Sequence, residues 1–372
     1  MLPTPKTTRR PGRVAFAAVL CVALAILSAC SGERADSTTA TGASGDTINL
    51  LGAGATFPNP LYQKWLSEYG KANPKVKINY QSIGSGGGIQ MIQSQTVEFG
   101  ASDTPLSDED LKKAPGELLH IPTVLGAVVI TYNLEGTSAP LRFSPDVIAD
   151  IFLGKIKRWD DARIKADNPG VALPANEIAV VHRSDGSGTT AVFTDYLSKV
   201  SPEWKTKPGA GKSVDWPVGI GGKGNEGVSG QVKNTPNTIG YVELAYAVQT
   251  KLPVALVRNK SGNFVAPSLA ATTAAAAESL PTTPADLRVS ITDPAGAEAY
   301  PISSYTYVLV YRDQKDATKG KTLVDFLWWA IHEGQQVTKD PQYPYAALPA
   351  EIVEKAAAKL NSITSGGKTL RS

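Results

Sequence analysis

Three short stretches carry the residue types needed to hold an oxyanion: Gly52-Ala53-Gly54-Ala55-Thr56-Phe57, Gly84-Ser85-Gly86-Gly87-Gly88 and Arg183-Ser184-Asp185-Gly186-Ser187-Gly188-Thr189. Each sits where a strand pattern gives way to a helix pattern. The first turn of a helix leaves backbone N–H groups unpartnered and carries a positive partial charge, so it attracts an anion. Glycine lets the backbone come close, Ser and Thr add hydroxyl donors, and Arg183 adds full charge in a fork that fits a tetrahedral oxyanion. Ordinary N-caps and turns would account for any one stretch. Three together point to a cage.

The elements that must position these stretches alternate strand and helix. Ile48 to Leu51 reads as a short strand, and Pro58 and Pro60 open a helix with the apolar stripe Leu61, Trp65 and Tyr69. Val76, Ile78 and Tyr80 alternate as a strand, Ile89 to Thr96 reads as a helix after the second glycine stretch, and Val97 to Asp103 reads as a strand ending on a carboxylate. Thr123 to Tyr132 is a near-continuous apolar run, the pattern of a strand buried on both faces or passing between lobes. Glu177 to His182 is a strand leading into the third stretch, followed by a helix with Val192, Phe193, Tyr196 and Leu197. Tyr305 to Tyr311 is a late strand; Leu323 to Ile331, Glu351 to Leu360 and the alanine-rich 271–279 are helices. From Thr47 onward there are 326 residues, more than one core usually serves, so two lobes are expected. No repeat period recurs.

Residues 1–29 carry Lys6, Arg9, Arg10 and Arg13, no acidic residue, and an uncharged 14-residue run from Val14 to Leu27 that closes on Leu27-Ser28-Ala29-Cys30. That is the pattern of a secretory signal with a lipoprotein cleavage site, too short to span a bilayer, which takes about 20 apolar residues. Cys30 is then the lipidated, palmitate-bearing first residue of the mature chain, and Cys21 leaves with the signal, so no internal disulfide is possible. Residues 31–46 hold no large apolar side chain and read, with Cys30, as a membrane-anchored flexible tether with a reach of about 20–25 Å. Without the four basic residues of the signal, 33 basic residues face 34 acidic ones, a formal charge of −1 in place of +3. Nothing in the balance suggests a nucleic-acid surface.

Several catalytic patterns fail at a decisive position. Phe57 stands where a dinucleotide fingerprint needs its third glycine, and Thr206 stands where a P-loop ending in Gly211-Lys212-Ser213 needs its first. Ser187 lies between glycines, but Asp185 and Thr189 hold the outer positions of a nucleophile elbow. The three histidines, His120, His182 and His332, are too scattered to form a metal cluster and read as structural or surface residues. No cofactor, metal or catalytic residue is expected.

Those stretches, together with Tyr80 to Ile83, Phe99-Gly100-Ala101-Ser102-Asp103, Leu153-Gly154-Lys155-Ile156 and Gly221-Gly222-Lys223-Gly224-Asn225, closely resemble the phosphate-binding proteins of the high-affinity phosphate ABC transporters, in the same order from about residue 48 to 360. The resemblance implies a two-lobed, periplasmic-binding-protein-like α/β fold with two chain crossings, residues 47–125 with 296–372 forming one lobe and 126–295 the other. It implies a monomeric, non-enzymatic receptor on the extracytoplasmic face of the cell membrane that hands phosphate to a membrane permease. Phosphate would be met by Thr56, the backbone N–H of Phe57, Ser85, Arg183, Ser187, Gly188 and Thr189, with Asp103 accepting its proton and Asp185 holding Arg183. Ser184 and a longer alanine-rich segment depart from the family pattern beside these positions.

The selectivity has a physical basis, because phosphate at neutral pH carries a proton that a carboxylate can accept, whereas sulfate carries none. Asp103 could instead cap a helix leading to Leu111, and Arg183 could pair with Asp185 on the surface. The six tryptophans read as core or interlobe packing, and Gly221 to Gly230 as a loop near the site or a turn, outside the contact set. An exported phosphate-ester hydrolase and a sulfate or molybdate receptor are the alternatives, since an oxyanion cage also suits those ligands.

Overall fold

The computed structural model describes residues 47–137 and 139–371. The expected signal, Cys30 and the tether lie outside the described residues.

The first layer of structure is built by β1 (Ile48–Gly54), α1 (Asn59–Ala72), β2 (Val76–Ser82), α2 (Ser85–Gln93), β3 (Phe99–Ser102) and α3 (Asp108–Lys112). The long strand β4 (Leu118–Asn133) follows. Beyond it come β5 (Arg142–Phe143), α4 (Pro145–Phe152), α5 (Ala162–Asp167), β6 (Ala179–Arg183), α6 (Gly188–Val200), α7 (Pro202–Thr206), β7 (Ile220–Gly222), α8 (Gly224–Asn234), β8 (Thr238–Glu243) and α9 (Leu244–Thr250). The chain finishes with β9 (Leu256–Arg258), β10 (Phe264–Val265), α10 (Leu269–Ser279), β11 (Ser303–Tyr311), α11 (Ala317–Ile331), α12 (Ala350–Asn361) and a short hairpin of β12 (Thr364–Ser365) and β13 (Lys368–Thr369).

Eight strands form one sheet in the order β2-β1-β3-β11-β4-β8-β6-β7. Its ends are parallel sets, β2-β1-β3 and β8-β6-β7, and its centre is the antiparallel pair β11 and β4. β4 serves both halves: Leu118 to Ala127 pair with β11, and Val128 to Asn133 pair with β8. Every residue of β4 from Leu118 to Tyr132 is buried, which is why its apolar run is unbroken. The strand starts five residues earlier than the apolar run suggests, passing through Pro122. A proline cannot donate to the ladder, and the register shifts between Thr306 and Tyr307, so that Thr123 is the extra residue of a bulge beside it.

α2 also starts earlier than expected, at Ser85, with the three glycines inside its first turns. Tertiary packing overrides their poor helix propensity, because a Cβ at Gly88 would fall 2.4 Å from the Cα of Gly54 and 2.6 Å from the carbonyl of Ala53. The helix therefore lies directly on β1.

The larger of two apolar core clusters is rich in aromatic residues. Trp65, Trp159 and Trp204 are fully buried, while Trp216, Trp328 and Trp329 pack against the same core partly exposed. Residues 280–292 reach back to the first half of the sheet, where Arg288 donates to the carbonyl of Leu106 and pairs with Asp108, and the carbonyl of Val289 accepts from Tyr307. No helix among the described residues is long and apolar enough to cross a membrane.

Candidate functional site

The sites expected from sequence lie after β1, β2, β3 and β6, with those after β1, β2 and β6 at the starts of α1, α2 and α6. Parallel strands bring these ends to one edge of each half, and the halves meet there. The N–H of Gly86 donates to the carbonyl of Gly186 at 2.8 Å, joining the start of α2 to the turn before α6.

After β1, the hydroxyl of Thr56 accepts from the backbone N–H of Asn225 at 3.2 Å and from its side-chain amide at 2.7 Å. The carbonyl of Thr56 accepts from Tyr246, and that of Phe57 from Tyr345. The N–H of Phe57 has no acceptor among the described residues. Ser85 opens α2 fully buried, with its hydroxyl 3.4 Å from Oδ2 of Asp103.

Asp103 is 0% exposed and directly follows β3. Its Oδ1 accepts from Thr306 at 2.9 Å, and its backbone carbonyl from Ser304 at 2.9 Å. Burial pushes the carboxyl up to about 7, against the opposing pull of Thr306, the Arg183 charge and Ser85. It caps no helix: the N-cap of α3 is Ser107, which accepts from Asp110.

Arg183 ends β6 with a side chain only 1% exposed, so its pairing with Asp185 is an interior one and not a surface contact. Nε donates to Oδ1 of Asp185 at 2.7 Å, Nη2 reaches Oδ2, and Nη1 points to the Thr189 hydroxyl at 3.3 Å. Burial opposes the charge on Asp185, but the bonds and charge of Arg183 and the N–H of Gly224 outweigh it and hold the carboxyl below its ordinary value. Ser187 caps α6 by accepting from Thr190 at 3.0 Å. A Cβ at Gly188 would stand 2.3 Å from the Ser85 hydroxyl and 2.4 Å from Oδ2 of Asp103. Gly188 thus lies where the two halves converge.

All eight expected contact residues gather here, and all are buried. The site offers hydroxyls, a guanidinium and helix N-termini as donors, and one carboxylate oxygen, Oδ2 of Asp103, as acceptor. Glu243 lies nearby, fully buried; burial pushes its carboxyl well above the ordinary range, against the favourable N–H of Ala245. The arrangement suits a tetrahedral anion that brings its own proton.

Sequence reasoning missed Asn225, Thr306, Glu243 and Tyr246. Gly221 to Gly230 is neither a loop nor a turn: it is the end of β7 and the start of α8, and it delivers Asn225 into the site. The glycines of that run were the available signal. The histidines lie apart from Ser187. His120 accepts from the N–H of Leu106 and is lowered to about 3 by burial, His182 stacks on Trp216, and His332 stacks on Trp328.

A family model described as a PBP superfamily domain matches residues 35–331. The chain is 46% identical over 324 residues to a protein of Pasteurella multocida named phosphate-binding protein PstS, covering 86% of this chain and 93% of that one. It is 42% identical over 342 residues to the phosphate-binding protein PstS of Methanocaldococcus jannaschii, covering 85% and 87%. Among solved structures, a phosphate-binding protein from Stenotrophomonas maltophilia superposes with a TM-score of 0.64 at 22% identity, covering 84% and 93%, a likeness of fold.

Proposed function

We infer that this chain, which belongs to the family of PstS phosphate-binding proteins, captures inorganic phosphate and presents it to the membrane permease of an ABC importer. Phosphate oxygens are met by the hydroxyls of Thr56, Ser85, Ser187 and Thr189, by the backbone N–H groups of Phe57, Gly188 and Thr189, and by the Arg183 guanidinium. The phosphate proton goes to Oδ2 of Asp103. The protein makes and breaks no bond. The observation that carries this reading is the convergence of the donors from β1, α2, β6 and α6 on Gly188 around one buried carboxylate.

Two lobes, residues 47–125 with 296–372 and residues 126–295, would close on the ligand by bending β4, the strand they share. Closure excludes water, which strengthens each donor, and phosphate stabilises the closed form by its greater affinity for it. The lipid on Cys30 and the tether behind it would hold the receptor, as a monomer, on the extracytoplasmic face beside its permease and raise the effective concentration there.

Isothermal titration of the purified chain tests the assignment. Phosphate saturates one site and binds more tightly than sulfate at pH 8; a preference for sulfate or molybdate overturns it. Release of phosphate from a generic phosphate ester, above that of a Ser187→Ala control, would place the protein among hydrolases instead.

A further inference from the structure

We infer that Asn225 is the positioning residue that fixes the Thr56 and Thr189 hydroxyls as donors to the ligand, and that it does so at Thr56 only when the two halves of the sheet meet. The inference rests on the phosphate-binding reading above and adds to it a residue that touches neither phosphate nor the charged pair.

The side-chain amide of Asn225 has a fixed orientation. Its Oδ1 lies 2.9 Å from the backbone N–H of Glu243, and a backbone N–H can only donate. Oδ1 must therefore be the acceptor there, which turns both hydrogens of Nδ2 the other way. One goes to the Thr56 hydroxyl at 2.7 Å and the other to the Thr189 hydroxyl at 3.1 Å.

A threonine hydroxyl has two lone pairs and one hydrogen. On Thr56 both lone pairs are taken, by Nδ2 and by the backbone N–H of Asn225 at 3.2 Å. On Thr189 both are taken too, by Nδ2 and by Nη1 of Arg183 at 3.3 Å. Each hydroxyl is left with its hydrogen alone to offer. All four groups are buried, so no solvent competes for the lone pairs.

Thr56 follows β1 in one half, whereas Asn225 and Thr189 belong to α8 and α6 in the other. The hydrogen of Thr56 is thus set by closure itself. A ligand oxygen carrying a proton is unwelcome at both threonines, which favours Oδ2 of Asp103, the one carboxylate oxygen facing the site, as the place where a ligand donates. Asn225 in this way bars a ligand proton from both threonines, without contacting the anion.

The test is phosphate titration of Asn225→Asp, Asn225→Ala and Thr56→Val, singly and combined, with far-ultraviolet circular dichroism to confirm folding. In Asn225→Asp the new carboxylate accepts from both threonines and turns their hydrogens away from the ligand, so affinity falls by about 100-fold or more. In Asn225→Ala the hydroxyls are only released, and affinity falls by about tenfold. A packing role would give the opposite order, because aspartate is the closer isostere.

The repulsion added by the aspartate charge is removed by a double-mutant cycle. Asn225→Asp costs at least about fivefold less in the Thr56→Val background than in the wild type, since the hydroxyl it would misdirect is absent. Should Asn225→Asp fail to fold, Thr56→Val costs less in Asn225→Ala than in the wild type, for the same reason. Losses that multiply across the cycle, with wild-type binding intact, overturn this inference alone. A wild type that binds no phosphate removes the function proposed above and this inference with it.

Discussion

Replacing Asp103 by asparagine should make sulfate recognition independent of pH. A sulfate offers no hydrogen to Oδ2, so an ionised Asp103 would face a bare oxygen with nothing between two acceptors. Sulfate can be received only when Asp103 is itself protonated. The wild-type sulfate affinity therefore follows the protonated fraction of Asp103, level below its pKa and tenfold weaker for each pH unit above.

With the carboxyl at about 7, the penalty at pH 9 is about 100-fold, or about 2.7 kcal/mol at 1.36 kcal/mol per unit. Opening of the site to water draws the carboxyl toward its ordinary value of 3.8, which enlarges the penalty at pH 9 to about 10⁵-fold with the same slope. The amide of Asp103→Asn titrates nowhere, can donate to sulfate from Nδ2 and can accept the phosphate proton at Oδ1. Its phosphate affinity should stay within about tenfold of the wild type, the loss of a charge-assisted bond being offset by the loss of repulsion between anions. Calorimetric titration of both proteins with phosphate and sulfate between about pH 6 and 9 measures all of this. A wild-type sulfate affinity that does not vary over that range, or an asparagine variant that keeps the full wild-type preference at pH 9, refutes the role given to Asp103.

Arg183→Lys removes the fork that binds Asp185 and reaches Thr189, and should weaken phosphate binding by about 100-fold with the fold intact, as read by calorimetry and circular dichroism. Gly188→Ala places a methyl group 2.3 Å from the Ser85 hydroxyl and 2.4 Å from Asp103; it should abolish the upward shift in thermal midpoint that phosphate produces in the wild type. Asp103 also leaves a mark on stability. Its folded pKa exceeds the unfolded one, so the folded form holds the proton more tightly, and the resulting stabilisation is complete below about pH 4 and lost as pH rises to about 7. Denaturant titrations without phosphate should show Asp103→Asn lacking this part of the slope, up to about 4 kcal/mol.

The helix N-termini were legible because glycine, serine and threonine at a strand-to-helix junction report a local geometry, and local geometry is what sequence spacing encodes. Arg183 and Asp185 were legible as a pair because they are two residues apart. Asn225 was not, because its partners Thr56 and Thr189 are brought to it by the sheet across 169 and 36 positions. Pro122 hid the first residues of β4, since the bulge that admits a proline depends on β11, nearly 200 residues away. The same holds for α2: its glycines look like a loop until β1 is packed beneath them. Ser107, not Asp103, caps α3, and here two acceptable caps stood close together with only the surrounding structure to choose between them.

β2 and β7 are the outermost strands of the sheet, at opposite ends of the ribbon that turns about β4. A small rotation at Ala127 and Val128, where β4 changes neighbours, is magnified toward those rims. Lys77 on β2 and Ile220 on β7 are both exposed, and the chain's two cysteines, Cys21 and Cys30, both precede the folded body. A donor and an acceptor dye attached through Lys77→Cys and Ile220→Cys, in a chain with Cys21 and Cys30 replaced, would turn the molecule into an optical gauge whose energy transfer tracks the phosphate concentration around it.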